Sequence, residues 1–178
     1  MRLITDTCAA IKLVAFGDKL FRPGVLKNGD LVLHPRVFNE TRRWPPYKKA
    51  KYKTELDQLQ KIKAAVGLKP PADEVESLST IISSVMDEMG TSIGSADREQ
   101  LISAVFNNAE IVTNDMPFTE VAEAMDVTVH TAERIVIDAC TQGVISKAEV
   151  KVARALWVKN GEKAPTRDEE KELKAICN

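Results

Sequence analysis

The chain has 178 residues, 44% of them hydrophobic and 29% charged, enough to bury one substantial core and short enough for one compact domain. Its formal net charge of -1 excludes a polyelectrolyte that binds nucleic acid by global charge, so any such binding needs a local basic patch. Three scattered cysteines, Cys8, Cys140 and Cys177, make neither a disulfide framework nor a C-x-x-C zinc or redox pair. No signal-peptide core follows Met1-Arg2 and no apolar run is long enough to span a membrane, so a cytoplasmic protein without a membrane partner is expected.

In chain order, Leu3 to Thr5 reads as a strand that runs through Asp6-Thr7 into the nearly uniform apolar run from Cys8 to Phe16, a helix covering a sheet. After the turn at Gly29, Leu31 to Leu33 form a second strand. Pro35 then opens a helix carrying Val37, Phe38, Glu40, Thr41 and Trp44. His34, before that proline, is placed to cap or support the helix.

Residues 47–90 read as a helical hairpin. Tyr52, Leu56, Leu59, Ile62 and Val66 make one helical stripe; after the turn "GLKPPAD", Val75, Leu78, Ile82, Val85 and Met89 make another. The two stripes are expected to face each other. Ser95 is a candidate N-cap for a helix from Ala96 to Asn107 with Leu101, Ala104 and Val105 inward, and Ile111 to Thr113 follow as a strand. Thr119 is placed to cap a short helix, and Val127 to Val129 make a last strand. The C-terminal extension, 146–178, is helical, with capping-box spacing at Ser146/Glu149 and Thr166/Glu169. Strands alternating with helices predict an α/β sandwich around a mostly parallel sheet, with functional groups at the carboxyl ends of its strands.

Four acids stand out, each with an ordinary alternative. Asp6 reads as an N-cap taken singly, and Asp97 as a first-turn acid favoured by the helix dipole. Glu40, three residues after Val37 and four before Trp44, lies at the edge of the core-facing stripe, where an acid needs a partner or a ligand. Asp115 ends a buried strand beside Asn114, as a turn residue before a proline or as a ligand. Gathered at one sheet edge, four carboxylates would repel and raise one another's pKa. A hard divalent cation with oxygen ligands, Mg²⁺ or Mn²⁺, answers that repulsion. With His34 and His130 as the only histidines, a histidine-based zinc site is disfavoured.

"LITDTCAAIKL" with "VLHPRVFNE", and "SADREQLISAVFNNAEIVTNDMPFTEVAEAMDV", resemble the PIN-domain nucleases, in particular the toxin ribonucleases of toxin-antitoxin operons. The resemblance covers residues 2 to 44 and 93 to 130, and its most specific part is S-A-D-R-E followed by T-N-D, with Asp115 eighteen positions after Asp97. It implies one three-layer α/β/α PIN-like domain over 1–178. It further implies an endoribonuclease in which Asp6, Glu40, Asp97 and Asp115 hold Mg²⁺ or Mn²⁺ and a metal-activated water cleaves RNA. Thr113 matches the small hydroxyl residue before the last acid, strand propensity being its alternative, and Glu99 is an auxiliary acid or a solvated face residue. A homodimer and a cognate antitoxin are the partners implied. The hairpin and the C-terminal extension make the chain longer than the compact toxins.

The candidate RNA-contact segment is "RRWPPYKKAKYK", in which Arg42, Arg43, Lys48, Lys49, Lys51 and Lys53 interleave with Trp44, Tyr47 and Tyr52. Cations suit phosphates and aromatic rings suit bases; a solvated loop is the alternative. Lysines crowding the start of the predicted helix oppose its dipole, which favours a functional reason for them. The competing function is a catalytically inactive PIN-like module that binds RNA or protein.

Overall fold

The structure, a computed structural model, describes residues 1–62 and 69–177. Four strands, β1 (Arg2–Thr5), β2 (Asp30–Leu33), β3 (Glu110–Val112) and β4 (Val129–His130), form one all-parallel sheet in the order β2-β1-β3-β4. The register sets Leu3 beside Leu31 and Ile4 between Val32 and Ile111. Because successive side chains point to opposite faces, Leu3, Leu31 and Val112 enter one core and Ile4 and Ile111 the other. Gly29 opens β2 at a φ of 144°, where a Cβ would lie 2.9 Å from the Met1 carbonyl oxygen; glycine is required there.

Ten helices are described: α1 (Thr7–Leu13), α2 (Pro35–Arg43), α3 (Pro46–Lys51), α4 (Lys53–Leu59), α5 (Ala72–Met89), α6 (Ser95–Asn107), α7 (Met116–Ala124), α8 (Ala132–Thr141), α9 (Lys147–Lys159) and α10 (Arg167–Cys177). Helices α1, α8, α9 and α10 bury Ala9, Leu13, Ile135, Val136, Trp157 and Leu173 on one face of the sheet. On the opposite face α5, α6 and α7 bury Ile82, Met86, Leu101, Phe118 and Val121. Helices on both faces of a parallel sheet are the layered arrangement expected for alternating strands and helices.

The expected hairpin is not a facing pair. Leu59 and Ile62 join Ala10, Val14, Leu33 and Val37 in a third cluster beneath α1 and α2, whereas Ile82 and Met86 pack with α6 and α7 across the sheet. Among the described residues each stripe has a partner inside the chain, with Met89 left exposed at the end of the second. The first expected helix is also broken at Tyr52, which separates α3 from α4. Val66 and the Gly67-Leu68 start of the expected turn lie outside the described residues. Other boundaries moved: the last strand is Val129–His130, not Val127 to Val129, and β3 is Glu110–Val112, not Ile111 to Thr113. Gly94, not Ser95, is the N-cap of α6, and α7 begins at Met116 with Asp115 as its N-cap, placing Thr119 inside the helix. Both C-terminal capping boxes form: Ser146 with Glu149, and Thr166 with Glu169, whose other carboxylate oxygen accepts the Thr131 hydroxyl. Among the described residues no helix is long and apolar enough to cross a membrane.

Candidate functional site

The chain leaves β1 toward β2 on one side and returns as β3 on the other, so a topological switch point lies between β1 and β3. In open α/β sheets, ligands bind outside the carboxyl ends of the strands at such a point. Asp6 follows β1, and Thr113 and Asp115 follow β3. The ladder runs one step past the strands, with Asp6 N–H donating to the Val112 carbonyl (3.1 Å) and Thr113 N–H to the His130 carbonyl (2.9 Å).

Asp6 is 4% exposed. Its Oδ1 accepts the Ala9 N–H at 2.6 Å, capping α1 as its sequence position suggested, and its Oδ2 accepts the Thr113 hydroxyl at 2.5 Å. Burial pushes its carboxyl from 3.8 to about 7; the Thr113 and Ala9 bonds oppose the rise, and Asp97 and Asp115 add to it. Thr113 Oγ1 also accepts the Asp115 N–H at 3.0 Å. Strand propensity alone accounts for neither bond, so Thr113 is an orienting residue.

Asp97, half-buried in the first turn of α6, accepts the Gly94 N–H through Oδ2 at 3.2 Å. Burial first, then the charges of Asp115 and Glu40, raise it to about 6. Asp115 caps α7 by backbone position alone: its side chain makes no cap hydrogen bond and is exposed, which fits a solvated turn residue as well as a ligand. Glu40 is exposed on α2, not half-buried as its place on the stripe suggested. Its partner is the Thr7 hydroxyl, which donates to Oε2 at 2.6 Å. Glu99 does not serve the cluster. Arg36 holds both of its carboxylate oxygens, because residues two apart on a helix point to different sides.

Cys8 is exposed rather than packed into the α1 core. Desolvation, then Asp6, Glu40, Asp115 and Glu162, push its thiol up to about 12, so it stays protonated. His34 Nδ1 accepts the Arg36 N–H at 3.3 Å, the capping role expected of it.

Among the described residues, no group of three or more His, Cys, Asp or Glu side chains is placed to hold a metal ion. The chemistry of the donor set nevertheless fits a hard cation. The acids are all oxygen donors, with Asp115 near enough for its charge to raise both Asp6 and Asp97, and an ion of the Mg²⁺ type keeps several waters while using one or two carboxylates. The buried side-chain carbonyl of Gln100, one turn along α6 from Asp97, has no hydrogen-bond donor, a second oxygen on the same helical face.

A groove of about 490 Å³ adjoins the acids, lined by Arg36, Glu40, Arg43, Trp44, Tyr47 and Lys48 together with Ser95 and Ala96 at the start of α6. Its aromatic residues are not equivalent. Lys48 Nζ lies 3.8 Å from the Trp44 ring centre, and the Tyr52 ring lies 5.5 Å away. Tyr52 is buried, and its hydroxyl donates to Glu162 at 2.5 Å. Tyr47, 77% exposed, is the ring open to solvent. Lys49 donates to the Arg42 carbonyl at 2.7 Å, and Lys51 Nζ lies 4.9 Å from the Tyr52 ring centre; Arg42, Arg43, Lys49 and Lys51 are exposed. Lys48, Lys49 and Lys51 fall in the last turn of α3, and Arg42 and Arg43 in the last turn of α2. There the dipole favours positive charge, so the expected conflict disappears for these residues and remains only for Lys53, the first residue of α4.

Sequence reasoning missed Lys12 and Glu133. Both are buried and paired at 2.6 Å behind the site. A lone lysine inside the apolar run Cys8 to Phe16 was the available signal, since lysine is almost never fully buried unless paired. Compared with protein-family models, curated proteins and solved structures, the chain matches none.

Proposed function

We propose that the chain is a metal-dependent endoribonuclease of the PIN-domain kind. The observation that carries the reading is the placement of buried Asp6 at the β1/β3 switch point, joined through Thr113 to Asp115; burial first, and neighbouring acids after it, push Asp6 up to about 7 and Asp97 up to about 6. Burial accounts for most of the rise in these two carboxyls, and a cation beside them would reverse it. Asp6 and Asp97, with Asp115 and Glu40 at the exposed rim, would hold Mg²⁺ or Mn²⁺ directly or through water. Such an ion supplies acidification of a bound water and neutralises charge building on the phosphodiester. The chain's own part is to fix geometry. Ala9 N–H and the Thr113 hydroxyl lock the Asp6 carboxylate, Gly94 N–H steadies Asp97, and Thr7 steadies Glu40. Arg43 and Lys48 in the adjoining groove would take substrate phosphates, with Arg42, Lys49 and Lys51 at its margin.

Titrating Mg²⁺ or Mn²⁺ into wild type, Asp6→Asn and Asp97→Asn, with cleavage of single-stranded RNA as the readout, tests the reading. Cleavage that requires the ion and collapses in both variants is expected; variants as active as wild type would sink it. An antitoxin and a homodimer belong to the same proposal and rest on the resemblance. A second reading, a catalytically inactive module that binds RNA or protein, is favoured by the lack of a three-ligand group among the described residues. RNA binding without cleavage at any ion concentration selects it.

A further inference from the structure

Between Thr113 and Asp115 stands Asn114, whose side-chain amide and main-chain carbonyl are engaged within the chain. Its Nδ2 donates to Glu133 Oε2 at 2.6 Å, its Oδ1 accepts the Ala132 N–H at 3.3 Å, and its main-chain carbonyl accepts Lys163 Nζ at 3.3 Å. Glu133 Oε1 accepts Lys12 Nζ at 2.6 Å, and Lys12 Nζ returns to the Lys163 carbonyl at 2.9 Å. Trp157 Nε1 donates to the Lys12 carbonyl at 3.1 Å. The side chains of Lys12 and Glu133 are 1% and 0% exposed.

Burying such a pair gains little stability over an apolar packing of the same volume, because desolvation offsets the attraction. What the pair does supply is connection. Lys12 lies on α1, the helix capped by Asp6; Glu133 begins α8; Lys163 lies between α9 and α10; and Asn114 is the residue between the two that face the acids. We infer that Lys12, Glu133 and Asn114 form a positioning network that holds the loop after β3, so that Thr113 stays on Asp6 and Asp115 stays beside it. The C-terminal extension thereby takes part in building the site. The functional meaning of this inference rests on the nuclease reading; its geometry does not.

Three variants test it: Asn114→Ala, Asn114→Asp, and Asn114→Asp combined with Glu133→Gln. The single acidic change sets two carboxylates against each other. The double change exchanges amide and carboxylate, restoring a donor facing an acceptor and leaving an oxygen for Lys12. Two readouts apply, hydrogen exchange of the Asp115 amide and calorimetric titration with Mn²⁺ alone. In both single variants the Asp115 amide is expected to exchange faster and Mn²⁺ to bind about 10–100-fold more weakly, the usual cost of disturbing the supports of a metal site. The double variant is expected to recover both, a rescue that a general loss of stability would not produce. Asp115 exchange at the wild-type rate in Asn114→Ala, or no recovery in the double variant, overturns the inference. If wild type binds no Mn²⁺ while the amide responds as stated, the nuclease reading falls and the positioning inference holds.

Discussion

The hydroxyl of Thr113 donates to Oδ2 of Asp6, a residue 107 positions earlier, at 2.5 Å. Thr113 Oγ1 in turn accepts the backbone N–H of Asp115 at 3.0 Å. One side chain therefore joins the ends of the two central strands and fixes the spacing of two acids. Parallel pairing makes this possible: Thr5 is in register with Val112, so the residues one step beyond both strands are neighbours.

Thr113→Val keeps the β-branched shape and removes the donor. Because the hydroxyl lowers the Asp6 pKa, the variant should move the Asp6 midpoint above its wild-type position near 7. Leaving a buried acceptor short of a partner should cost about 1–3 kcal/mol of stability. Carboxyl-carbon NMR titration and urea unfolding measure the two effects. A midpoint that stays put or falls would show that Thr113 does not hold the carboxylate in solution.

Between pH 5 and pH 8, Asp6 and Asp97 should make stability without metal fall as pH rises. A carboxyl whose pKa is higher in the folded chain than in the unfolded one binds its proton more tightly in the native state. Its contribution is complete below the unfolded value of 3.8 and is lost as pH climbs through about 6 for Asp97 and about 7 for Asp6. For buried Asp6, the gap from 3.8 to about 7 corresponds to roughly 4 kcal/mol as an upper bound. Asp6→Asn should flatten the decline and make the metal-free chain more stable than wild type at pH 8, while removing the proposed activity. Unfolding free energies at pH 5 and pH 8 decide it, and a wild type more stable at pH 8 by the same margin as the variant would refute the account.

The parts of this site legible in sequence were those set by local rules. Asp6 at a strand-to-helix junction, His34 before a proline and the two Ser/Thr-to-Glu capping boxes each depend on neighbours within a few residues. The stripe on α5 was legible as a stripe, but periodicity says only that a face is apolar and not what covers it. Leu59 and Ile82 accordingly ended on opposite sides of the sheet. Glu40 was misjudged for a related reason: helix phase placed it at the margin of the core, whereas the residue is exposed and only its carboxylate reaches the buried Thr7. The pairing of Lys12 with Glu133, 121 positions apart, had no local trace beyond an unexplained lysine.

Asp97 and Glu99, two residues apart on α6, should respond oppositely to neutralisation. Asp97→Asn removes a charge that belongs to the cluster and should abolish metal-dependent cleavage. Glu99→Gln breaks a partly exposed pair with Arg36, worth under about 1 kcal/mol, and should leave metal affinity and cleavage close to wild type. Parallel Mn²⁺ titrations of the two variants test the contrast. Equal loss in both would return Glu99 to the cluster.

Tyr47 and Trp44 make the corresponding contrast in the groove. Trp44 is covered by Lys48 and flanked by Tyr52, so its ring is engaged within the chain, whereas Tyr47 stands 77% exposed beside Arg43 and Lys48. An unpaired base stacked on Tyr47 would contribute about 1–3 kcal/mol of binding. Measured on the Asp6→Asn background, so that no substrate is consumed, Tyr47→Ala should weaken single-stranded RNA binding by that amount and Tyr47→Phe should retain it. Trp44→Ala should act mainly by loosening α3 and lowering the unfolding midpoint. Lys48→Ala should reduce the salt dependence of binding, each lost phosphate contact lowering the slope of log K against log salt by about 0.7 for a single strand. Fluorescence anisotropy across a salt series reads both effects. Affinity untouched by Tyr47→Ala, with a slope untouched by Lys48→Ala, would place the nucleic acid elsewhere on the surface.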